Sequence, residues 1–134
     1  MSSTQAASNS GPGYAKHPEH KLNLVPCEGR VHVVSNGETV ADTTQALVMQ
    51  EGDYAPRYYI PRADVRGDLV TSTDTETYCP FKGRASYWSF TVDGTIAEDA
   101  AWSYEDPYDE MLGITGYFSF YEERVDALTV ESPG

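Results

Sequence analysis

The chain has 134 residues and a mass of 14.8 kDa, which is one domain's worth and excludes a two-domain enzyme, a TIM barrel and a full dinucleotide-binding fold. Hydrophobic residues make up 40% and aromatic residues 12%, with ten tyrosines, so a core can form without covalent staples. The 21 acidic residues against 9 basic give a formal net charge of -12, a field that repels nucleic-acid phosphates and anionic membrane surfaces.

Residues 1–13 are rich in Ser, Gly, Ala and Asn and carry no periodicity. They read as a disordered tail ahead of a single domain over residues 14–134. Arg30-Val-His-Val-Val-Ser35 begins with alternating apolar and polar residues and reads as a strand. Asn36-Gly37 accepts the positive φ angles of a tight hairpin, and Glu38–Asp42 is the return strand. Ala46–Glu51 is another extended candidate. Arg57-Tyr-Tyr-Ile60 is a short strand between Pro56 and Pro61. Residues 61–69 have room for one helical turn.

Ala85-Ser-Tyr-Trp-Ser-Phe-Thr-Val92 is the clearest strand. Tyr87, Ser89 and Thr91 share one face, and Trp88, Phe90 and Val92 share the other. Asp93-Gly94 turns it into Thr95–Glu98. The pattern predicts a short helix over 106–114, with Asp106 as N-cap, Pro107 in the first helical position, and Asp109 and Glu110 at the positive end of the dipole. Tyr117–Tyr121 closes the set, with Phe118 and Phe120 on one face. The whole is a mainly β domain with one or two short helices.

Charge is unevenly spread. From Ala85 to Gly134 there are eleven carboxylates and one cation, Arg124. Five of the nine cations, Arg57, Arg62, Arg66, Lys82 and Arg84, lie in one intermediate stretch. They form either ordinary solvated pairs or a local positive pocket that selects an anionic small molecule. Cys27 and Cys79 lie 52 positions apart without a Cys-x-x-Cys pair. The polar start lacks the apolar core of a signal peptide, and no apolar run is long enough to cross a membrane. A cytoplasmic protein with reduced thiols is therefore expected. His17 and His20 have a metal-compatible spacing but too few companions for a four-ligand site, so neither metal nor cofactor is expected.

Three segments carry candidate chemistry. In Thr77-Tyr-Cys-Pro-Phe-Lys-Gly-Arg-Ala-Ser-Tyr-Trp88, Gly83 permits backbone shapes other residues resist, Lys82 offers an ammonium, and Tyr87 offers an aromatic wall. Cys79 is either a small core residue or a thiol activated by a positive neighbour. In Pro56–Leu69, Tyr59 is an aromatic wall and Arg62 a bidentate anion grip, unless the segment's arginines form structural pairs, Arg62 with Asp64 or Arg66 with Asp68. In Ala101–Pro107, Trp102 and Tyr104 share one side of an extended stretch, as core or as pocket wall. Glu51, at the end of an apolar run, is a candidate general base or a solvated strand end. No phosphate-loop lysine, GxGxxG, GxSxG or HExxH motif is present.

The blocks Tyr59-Ile-Pro61, Asp64-Val65, Cys79-Pro-Phe-Lys-Gly83 with Ala85-Ser-Tyr-Trp88, Ala101-Trp-Ser-Tyr104 with Pro107, Phe120-Tyr121 and Arg124-Val-Asp126 resemble, in order and spacing, the domain of unknown function 427 family. The match runs from about Arg30 to Asp126. That family has sometimes been labelled nucleotidyltransferase-like, but this sequence lacks the paired aspartates on a Gly-Ser turn that metal-dependent nucleotidyl transfer uses. The resemblance implies a β-tent fold, two small antiparallel sheets leaning together over a pocket. Methionine sulfoxide reductase B and the thalidomide-binding domain of cereblon are similar in this fold. Many relatives carry a zinc knuckle of two Cys-x-x-Cys pairs, which is missing here, so neither zinc nor a thiol reductase mechanism transfers.

The expected function is binding of a planar or anionic small molecule, with Tyr59, Tyr87, Trp102 and Tyr104 as walls and Arg62 and Lys82 as anchors. One alternative is a small cofactor-independent enzyme in the same pocket, with Glu51, Cys79 and Lys82 in acid–base or nucleophilic roles. A second alternative is a protein-interaction module that uses the acidic C-terminal half. Neither nucleic acid nor membrane is an expected partner.

Overall fold

The computed structural model describes residues 9–132. Ten strands carry the fold: β1 Leu22–Pro26, β2 Arg30–Ser35, β3 Glu38–Thr43, β4 Leu47–Glu51, β5 Arg57–Tyr59, β6 Val70–Cys79, β7 Gly83–Val92, β8 Thr95–Ser103, β9 Ser119–Phe120 and β10 Ala127–Glu131. Among the described residues helix is limited to a four-residue α1, Gly13–Lys16, and 3-10 turns at Arg62–Asp64, Asp109–Ile114 and Glu122–Arg124. Among the described residues no helix is long and apolar enough to cross a membrane.

The domain is mainly β with small antiparallel sheets, as the strand and turn pattern predicts. The ladders number three rather than two, in the orders β1-β4-β5, β10-β2-β3 and β6-β7-β8-β9. The first two are halves of one bent ribbon. β1 runs on into β2, and β3 into β4, so the hairpin β2-β3 continues as β1-β4. The Cys27 N–H donates to Ala46 O at 2.8 Å across the bend. Ile60 and Phe118 exchange two backbone hydrogen bonds, 2.7 and 2.9 Å, and join this ribbon to the four-stranded sheet.

Both predicted hairpins form. Asn36-Gly37 and Asp93-Gly94 have φ of 50 and 80° and of 49 and 80°, the left-handed pair that matches strand twist. Strand β7 sorts its side chains as its alternation predicts. Phe90 and Val92, with Trp88 against them, join an apolar cluster with Val31, Val33, Val40, Ile60, Phe118 and Phe120. Ala85 and Tyr87 join a second cluster with Met49, Tyr59, Trp102, Tyr104, Met111 and Ile114. One strand thus serves two cores. The second core sits between β4-β5 and β6-β7-β8, and there the cavity opens.

Strand β8 bulges opposite Ser89, where Asp99 takes a φ of 47°. The Asp99 carboxylate accepts hydrogen bonds from the Thr73 and Thr75 hydroxyls, each at 2.7 Å, which pins the matching bulge of β6.

Two expectations need correction. The helix over 106–114 starts later, at Asp109, after an extended Tyr108 and without a side-chain cap. The Tyr108 N–H donates to Lys82 O at 3.0 Å, so residues 106–108 are tied to the β6-β7 turn and do not begin a helix. Of the expected tail, residues 1–8 lie outside the described residues, whereas residues 9–13 are fixed on the domain. Asn9 N–H donates to Asp109 Oδ2 at 2.7 Å, Gly11 N–H to Glu110 Oε1 at 3.0 Å and Gly13 N–H to Pro80 O at 3.0 Å.

Candidate functional site

A cavity of about 600 Å³ opens between β4-β5 and β6-β7-β8. Met49, Tyr87, Trp102 and Tyr104 form its apolar lining, with Tyr54, Ala55, Thr77 and Tyr121 around them. Its charged lining residues are Glu51, Arg57 and Lys82. Strand pairing explains the assembly. Tyr87 and Trp102 are direct cross-strand partners in β7 and β8, so both project from the same side. Met49 and Arg57 are partners in β4 and β5 on the opposite wall.

Glu51 is held from both sides. Its Oε1 accepts from Lys82 Nζ at 3.0 Å, and its Oε2 lies 2.9 Å from His20 Nε2. The His20 ring is stacked on Phe81, centroids 3.9 Å apart, next to Lys82 in the chain. Lys82 and Glu51 side chains are only 14% and 22% exposed, which makes this a sheltered ion pair, unlike the solvated pairs elsewhere. Burial pushes the Glu51 carboxyl up, but the Lys82 ammonium and then His20 outweigh it and hold it below the usual carboxylate range. A carboxylate held ionised in this way is a weak proton acceptor.

Hydroxyls form a short chain in the same wall. Tyr87 Oη lies 3.1 Å from Thr77 Oγ1 and 2.9 Å from Tyr121 Oη. Burial, then the hydrogen bond shared with Tyr87, pushes the Tyr121 phenol up to about 12. Burial likewise raises Tyr104 well above the ordinary phenol range. The Tyr121 and Tyr104 hydroxyls therefore remain protonated at neutral pH.

Arg57 differs from the other cations. Its guanidinium carbon stands 5.3 Å from the Trp102 ring centroid and 5.8 Å from that of Tyr121. Among the described residues it makes no ion pair and no side-chain hydrogen bond. Arg62, by contrast, pairs with Glu105 at 2.5 Å and lies over Trp88 and Phe118.

Of the residues proposed from sequence, Glu51, Lys82, Tyr87, Trp102 and Tyr104 meet at the cavity. Arg62 does not line it, because Pro61 ends the extended segment and the following turn carries the side chain to the other core. Tyr59 is fully buried behind Trp102, whose indole N–H donates to Tyr59 Oη at 3.3 Å. It positions a wall residue and does not face the cavity. Cys79 is partly buried and does not line the cavity, and among the described residues its thiol has no hydrogen-bonded base. Cys27 is free as well, packed on the first core. Among the described residues no group of three His, Cys, Asp or Glu side chains is placed to hold a metal ion.

Sequence reasoning missed Tyr121 as a cavity residue and named Arg57 only as one of five cations that form either solvated pairs or a positive pocket. Strand parity contained the signal for Arg57, which shares a face with Tyr59. Tyr121 follows Phe120, a residue of the other core, so alternation sends it to this side.

The model of the family described as domain of unknown function (DUF427) matches residues 23–131, and the chain belongs to that family. Among the curated proteins none matches the chain.

Proposed function

We propose that this member of the DUF427 family is a small-molecule binding protein whose ligand, a planar or anionic metabolite, occupies the cavity between β4-β5 and β6-β7-β8. One observation carries the reading. The cavity is walled by aromatic rings and holds a guanidinium, Arg57, that has no ion-pair partner among the described residues. In a protein of net charge -12, such a group favours an anion that the surface field alone would turn away. A few directional polar groups in an aromatic cleft are the usual make-up of a ligand site.

Binding is favoured over acid–base catalysis because Glu51 is engaged by Lys82 and His20 and is held ionised. The two free cysteines support a reducing, cytoplasmic setting. Nucleic acid and membrane are not partners in this reading, because both are polyanionic surfaces.

The test is incubation of the purified protein with a metabolite extract, filtration and mass spectrometry of what is retained. The same is done with Ala55→Trp, a substitution at the exposed rim that fills the cavity. The reading expects a compound retained unchanged by the native protein and lost in the variant. Equal retention by both, or no retained compound, would overturn it. A compound converted on incubation would move the assignment to the enzyme reading.

A further inference from the structure

We infer, resting on the ligand-binding reading above, that the cavity selects a planar monocarboxylate, an arene or heteroarene carrying one carboxylate, and that Arg57 is its anchor in place of Lys82. The argument begins with charge matching. Lys82 Nζ is 3.0 Å from Glu51 Oε1, so the ammonium is already answered inside the cavity wall. Arg57 is the cavity cation left without a carboxylate among the described residues. One unanswered positive charge calls for one negative charge. A second charge on the ligand would find no unanswered cation in the cavity lining, because Lys82 is already paired with Glu51.

Donor geometry points the same way. The guanidinium is oriented by the faces of Trp102 and Tyr121, which engage its charge and leave its N–H edges available. A fork of N–H groups matches the two oxygens of a carboxylate. The hydroxyl chain adds a further donor. Thr77, Tyr87 and Tyr121 supply three O–H protons, and the two hydrogen bonds among them consume two. One proton is left over in the lining, whichever way the chain runs, and it needs an acceptor. Arg124 also stands over Tyr121, at 4.5 Å, but it is exposed and does not line the cavity. The flat rings of Tyr87, Trp102 and Tyr104 contact a flat body over the largest area.

Calorimetric titration with four small probes tests the class: 4-hydroxybenzoate, its neutral amide, terephthalate and phenyl phosphate. 4-Hydroxybenzoate is expected to bind at least about tenfold more tightly than each of the others. Arg57→Gln is expected to reduce it to the level of the amide, with Arg57→Lys intermediate and the melting temperature unchanged in both. Arg124→Gln, which removes an exposed cation outside the cavity lining, is expected to change it by less than about threefold. Equal binding of acid and amide, or tighter binding of the dianions, overturns the monocarboxylate class. Retention of 4-hydroxybenzoate binding in Arg57→Gln overturns the anchor. Failure of all four probes overturns the class as well. The broader reading is decided separately, by whether Ala55→Trp releases what the extract experiment retains.

Discussion

Lys82 and Glu51, 31 positions apart in the chain, meet at 3.0 Å in the wall of the cavity, with His20 closing on the other carboxylate oxygen at 2.9 Å. The contact ties the β6-β7 turn to the end of β4 and joins two sheets by one sheltered ion pair. It also leaves Arg57 as the cavity cation without a carboxylate partner among the described residues. The same pair makes a stability prediction. Lys82→Met leaves Glu51 with His20 alone in a partly desolvated site and is expected to cost about 1–3 kcal/mol in urea unfolding. A cost below a few tenths would mean that the pair is solvated.

The pH dependence follows from the lowered Glu51 pKa. The folded value lies below the unfolded one, so the contribution is fully present above the unfolded value. It is lost as pH falls through the folded value. The stability difference between the native protein and Glu51→Gln should be constant near neutrality and shrink below about pH 4. Unfolding curves across that range check it, and a difference that grows on acidification would contradict it.

Two glycines separate backbone strain from crowding. Gly94, in the β7-β8 hairpin, has a φ of 80° and open space where a Cβ would lie. Gly94→Ala is expected to cost about 1 kcal/mol. Gly83, next to Lys82, has a φ of 121°, and an added Cβ would sit 3.3 Å from the Pro107 Cα. Gly83→Ala is expected to cost about 2 kcal/mol or more. Denaturant midpoints of the two variants should keep this order.

Ser119, buried in β9, has a hydroxyl without a hydrogen-bond partner among the described residues. Removing it removes an uncompensated desolvation. Ser119→Ala should leave the melting temperature unchanged or raise it slightly, by about 0–1 kcal/mol of stability. A marked loss of stability would show that the hydroxyl is engaged.

Much of this fold is legible in the chain wherever one face is apolar. β2, β3 and β7 alternate, and their turns carry Asn-Gly and Asp-Gly. β6 is not legible in that way. Val-Thr-Ser-Thr-Asp-Thr-Glu-Thr-Tyr-Cys pairs on one side only with β7 and is largely exposed, so no apolar period marks it. β1 and β10 are also mostly exposed and escape for the same reason. At the site, Tyr87, Trp102 and Tyr104 follow from strand parity and Lys82 from its glycine turn. Arg62 lies outside the cavity because Pro61 redirects the chain after β5. Arg57 lines the cavity and shares a face with the buried Tyr59.

The most direct measurement is a nuclear magnetic resonance titration that follows the two indole N–H signals. Trp102 lines the cavity, whereas the Trp88 indole donates to Ser103 Oγ at 2.9 Å and packs on the other core. With 4-hydroxybenzoate added, the Trp102 signal should shift to saturation while that of Trp88 stays in place, and Arg57→Gln should abolish the shift. An unmoved Trp102 signal, equal shifts of both indoles, or an unchanged titration in Arg57→Gln would contradict an anion site built on Arg57.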